Sequence, residues 1–204
     1  MLEQKDIEQA KYLFKEWDIS NIWDNPNTAY IEHCKKKAEE SLFLAKYLLN
    51  KIEKTKELEN NGTTTIWIVT LSYYSMFFEV EYLLSIDKRK LPTGTENTHK
   101  TIYLAFLYYY VIKGSELERN KPKKITTSRM SRALSLFKEV QDESLELQRI
   151  EKSVRDLKKQ REQRHSFTYQ MSRSAEISEA KNSIFKASEF RELIEEYILS
   201  RRVK

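Results

Sequence analysis

The stretch IWIVTLSYYSMFFEVEYLLSI, from Ile66 to Ile86, is the most apolar run in the chain, and its reading decides the fold. Its length would suit a membrane span. Two carboxylates, Glu79 and Glu81, interrupt it, as do the hydroxyls of Thr70, Ser72 and Ser75. A carboxylate held in the hydrocarbon layer costs about 3 kcal/mol at the centre of a spanning helix. A helix covered on most sides by other helices accommodates the same residues, because neighbours can satisfy the polar groups. The run therefore predicts a central buried helix, no membrane partner and an all-α domain.

Working outward, the breakers mark where helices stop. The 204 residues include only three Gly and three Pro, at Pro26, Gly62, Pro92, Gly94, Gly114 and Pro122. Long helices with few connections follow from that scarcity. Residues 2–17 read as a short helix. Residues 28–58 read as a long amphipathic one, with Ile31, Cys34, Ala38, Leu42, Ala45, Leu49 and Ile52 spaced by three and four and Asn27 as N-cap. Further helices are expected over 63–87, over 98–113, and from Thr126 past residue 160. The IYLAFLYYYVI segment of the fourth has strand-like composition, but no second such segment exists to pair with it, so helix is favoured. A last helix has Ser174 as candidate N-cap and buries Ile177, Ala180, Ile184, Ala187, Ile194 and Ile198.

The charge balance is mild. Thirty-six Lys and Arg against 31 Asp and Glu give +5, which permits an anionic partner without demanding one. The segment from Arg119 to Phe137 holds six basic residues and no acid. The single cysteine, Cys34, excludes an internal disulfide and reads as a small buried hydrophobe. With the charged start MLEQKDIEQA and no signal peptide, the expected compartment is the cytoplasm. No phosphate loop, HExxH or CxxC is present, and His33, His99 and His165 are too far apart to suggest a local metal site, so no cofactor is expected.

One charged segment departs from the solvated pattern. In KKQREQRHSFTYQ, Lys158 to Gln170, the apolar stripe of Ile150, Val154 and Leu157 continues onto Arg161, then Arg164 and His165, then Thr168. These groups occupy a face that should meet another helix or another subunit. Either acids such as Glu79 or Glu81 pair with the arginines, or the face opens into a groove for an anion. Arg stabilises a phosphate and His moves protons, so Arg161, Arg164 and His165 are the candidate catalytic residues for metal-free RNA cleavage. Tyr169, with Lys158 and Thr168, is the candidate RNA- or nucleotide-binding set. A module that binds a nucleotide or a partner without chemistry stays open beside that reading, as does an ion-pair network at a dimer interface.

Four pieces in order resemble the HEPN family of small helical domains. KKAEESLFLAKYLLNK resembles its first helix, LSYYSMFFEVEYLL its second and ENTHKTIYLAF the segment after, while REQRHSFTY with EAKNSIFKASEFRELIEEYI is similar to its last two helices. The resemblance spans about 30–200 and leaves 1–25 as an N-terminal helical extension to a domain over 26–204. It implies an antiparallel four-helix up-and-down bundle with additional N- and C-terminal helices, usually a homodimer. It also implies a metal-independent endoribonuclease in a toxin–antitoxin or defence setting, and a nucleotidyltransferase antitoxin as partner. The family motif is an Arg, four to six residues, then a His; here three residues separate Arg161 from His165, and Arg164 reaches Tyr169 across four.

Overall fold

The computed structural model describes residues 3–55, 62–114, 125–162 and 177–202, of which 62–63, 125–127, 150–162 and 202 are described by backbone alone. The helices are α1 (Gln4–Ser20), α2 (Thr28–Lys54), α3 (Gly62–Ile86), α4 (Thr98–Phe106), α5 (Ile125–Glu162) and α6 (Ile177–Arg202). α4 runs on into a π-helical segment, Leu107–Ile112. Among the described residues there is no strand, only an isolated antiparallel bridge between Asp24 and Lys90. No helix among them is long and apolar enough to cross a membrane.

The apolar run forms α3, which packs against α2, α4, α5 and α6. Its serines are the polar groups that such a position must satisfy. Ser72 Oγ donates to the Ile68 carbonyl at 2.9 Å, and Ser75 Oγ donates across to the Ala38 carbonyl of α2 at 2.9 Å. The small Ser75–Ala38 pair lets these two backbones approach closely. Asn27 caps α2 as expected, its Oδ1 accepting from the Tyr30 N–H at 2.8 Å.

Side-chain pairs between helices fix the directions. Tyr30 meets Glu81 and Ala38 meets Ser75, so α2 and α3 run antiparallel. Arg191 of α6 binds Glu39 of α2, and Lys181 binds Glu53, so these two are antiparallel also. Arg129 pairs with Glu196 and Lys186 with Glu143, which makes α5 antiparallel to α6. Hence α2 and α5 point one way, α3 and α6 the other.

α1 lies against α4 and the π segment. Its Ala10 and Phe14 belong to the same buried cluster as the residues of α3, α5 and α6. The π segment contains three successive tyrosines, all buried. Here Tyr108 and Tyr109 meet Phe14 of α1, while Tyr110 turns to α3 and α6, donating to the Leu83 carbonyl at 3.1 Å and packing on Tyr197. π turns inside helices mark such local irregularities.

Boundaries differ modestly from the sequence expectation. α1 continues to Ser20 and stops where Asn21 adopts left-handed backbone, its N–H bonded to the Trp17 carbonyl. α2 stops at Lys54 rather than residue 58. The expected cap Ser174 lies outside the described residues.

Candidate functional site

Of the residues that the sequence singles out, Lys158 and Arg161 are carried on the last turns of α5, described there by backbone alone. Arg164, His165, Thr168 and Tyr169 lie outside the described residues. The position of the α5 end is nonetheless defined by what precedes it. Leu147 packs with Ile66 and Val69, near the start of α3, and Glu143 meets Ser183, near the start of α6. At 1.5 Å per residue, α6 therefore begins level with about residue 149 of α5, and α3 with about residue 152. The turns that follow, to Glu162, project roughly 15–20 Å past the starts of both helices. Arg161 rides on this overhang, at the end of the bundle where α2 finishes and α6 begins.

That register bears on the pairing suggested for the arginines. Glu79 and Glu81 sit level with the first half of α5, roughly 40 Å from Arg161 along the axis. Both have neighbours of their own. Glu81 accepts from Tyr30 OH at 3.3 Å, and burial raises its carboxyl to about 6. Glu79 is 4% exposed, and burial raises its carboxyl to about 7, against the opposing pull of Arg191. Arg191 itself donates to Glu39 at 2.9 Å and Glu195 at 2.8 Å. Arg161 is therefore far from both acids, while Glu81 bonds Tyr30 of α2 and Glu79 faces Arg191 of α6; Arg164 lies outside the described residues. Cys34 is buried, as its place in the apolar pattern implies, and burial, with Glu81 beside it, pushes its thiol up to about 12.

The other histidines separate clearly. His33 is exposed on α2. His99, at the start of α4, lies 2.7 Å from Tyr73 OH through Nδ1, with the Phe77 ring 4.8 Å away. Gln141 of α5 donates to the same Tyr73 oxygen at 3.2 Å. The Tyr73 hydroxyl therefore joins Gln141 of α5 to His99 of α4. Burial lowers the His99 pKa and raises that of Tyr73. The arrangement pins α3, α4 and α5 together, in keeping with a structural His99. Gln141 is about 30 Å along α5 from Arg161, so His99 does not share a site with it.

A feature missed by sequence reasoning lies at the opposite end of α3. The α1–α2 and α3–α4 connections are joined by Asp24 and Lys90, whose backbones exchange hydrogen bonds of 3.0 and 3.1 Å. Between them opens a cleft of about 370 Å³ walled by Trp17, Trp23, Asp18 and Arg89. Behind it, Tyr109 OH donates to Asp18 at 2.5 Å and accepts from Trp23 Nε1 at 3.0 Å. The contributing residues are up to 91 positions apart, and no local pattern joins them.

These observations define an all-α protein built on a buried central helix, with an overhanging α5 at one end and a polar cleft at the other. No family model, no curated protein and no solved structure matches the chain.

Proposed function

We propose that this chain is a HEPN-type helical module, a cytoplasmic homodimer of a toxin–antitoxin or defence system that cleaves single-stranded RNA without metal. In this reading its four-helix core is α2, α3, α5 and α6, whose alternating directions suit an up-and-down bundle. The observation that carries the proposal is the overhang. α5 extends beyond the starts of α3 and α6 while its sequence keeps an apolar stripe, Ile150, Val154 and Leu157, that leads onto Arg161. Such a stripe needs a cover, and a second α5 related by a two-fold axis supplies one and doubles the Arg–His segment into a groove. There Arg161 or Arg164 contacts the scissile phosphate, and His165 takes the proton of the attacking 2′-hydroxyl. The O2′–P bond forms as the P–O5′ bond breaks, and the leaving 5′ oxygen takes a proton from water, which gives a 2′,3′-cyclic phosphate and a 5′-hydroxyl. Lys158, Thr168 and Tyr169 hold the strand.

The test uses purified protein with a fluorescent single-stranded RNA in excess EDTA. Cleavage is expected, with His165→Ala slowing it about a hundredfold, the usual scale for removing a positioned acid–base group. Equal rates for the variant would remove His165 from the mechanism.

A second reading is favoured by one observation, the three-residue gap between Arg161 and His165. Here the segment binds a nucleotide or docks a nucleotidyltransferase subunit and performs no chemistry. Absence of cleavage at high protein concentration, together with a stable complex with such a subunit, would select it.

A further inference from the structure

We draw no further inference here: the strongest candidate, the exposed apolar patch around Leu44 and Tyr47 of α2 and Trp67 of α3, carries none, because nothing in the structure shows what covers it.

Discussion

Replacing Phe137 with alanine will lower the unfolding free energy by about 4 kcal/mol, the scale for truncating a fully buried aromatic residue. Phe137 is completely buried where α5 meets three other helices. Its ring stacks on Tyr73 of α3 at 5.7 Å, meets Tyr103 of α4 at 6.4 Å and meets Phe190 of α6 at 5.9 Å. Neither a shift of α5 nor a rotamer change elsewhere fills a space bounded by three helices, so the transfer and cavity costs add. For a domain whose total stability is about 5–15 kcal/mol, this is a large fraction. Phe185, 66% exposed on α6, supplies the control: its alanine variant should stay within about 0.5 kcal/mol of wild type. Urea unfolding of the two variants checks the contrast, and comparable losses would contradict the packing.

The second large effect concerns pH. Glu79 is 4% exposed, and burial raises its carboxyl from 4.5 to about 7. A folded-state pKa raised above the unfolded value means that the native state binds the proton more tightly. Its contribution is therefore complete below about 4.5 and is lost as pH rises through about 7. The facing charges are Arg191, Glu195, Glu39 and Lys35. Glu79→Gln removes the titration while keeping the shape and the hydrogen-bonding capacity. Between about pH 5 and about pH 8, wild type should lose roughly 2–3 kcal/mol relative to this variant. Chemical denaturation at a series of pH values measures the difference, and parallel profiles would show that Glu79 stays ionised throughout.

Much of the helical fold was legible because its signals are local. The carboxylates and serines in Ile66–Ile86 excluded a membrane span, and the same serines turn out to bond within α3 and across to α2. Asn27 is a cap by residue type and position alone. The spacing of Cys34, Ala38, Leu42, Ala45 and Ile52 marks the buried face of α2. Phe190 was absent from the apolar positions assigned to the last helix, yet it is fully buried, because α5 places Phe137 opposite it.

What stayed hidden depends on register between distant segments. In the π turn at Leu107–Ile112, Tyr108 and Tyr109 reach α1 while Tyr110 reaches α3 and α6, contacts invisible in LYYYVI itself. Helical phase placed Arg161 on a face that continues an apolar stripe. It could not say that Glu79 and Glu81 lie far along the bundle, nor that α5 outruns α3 and α6. The cleft at Arg89 was missed for the same reason: Trp17, Trp23, Asn21 and Lys88 carry no shared motif, and two chain reversals bring them together.

A second copy of the chain covering the α5 overhang, as proposed, would place two Arg–His segments in one groove. Sedimentation equilibrium at micromolar concentration tests it most directly. The expected mass is twice the 24.5 kDa of one chain, falling to a single chain for Leu157→Glu, which puts a charge in the stripe. A wild-type protein that sediments as one chain at those concentrations, or a Leu157→Glu variant that remains dimeric, would contradict it.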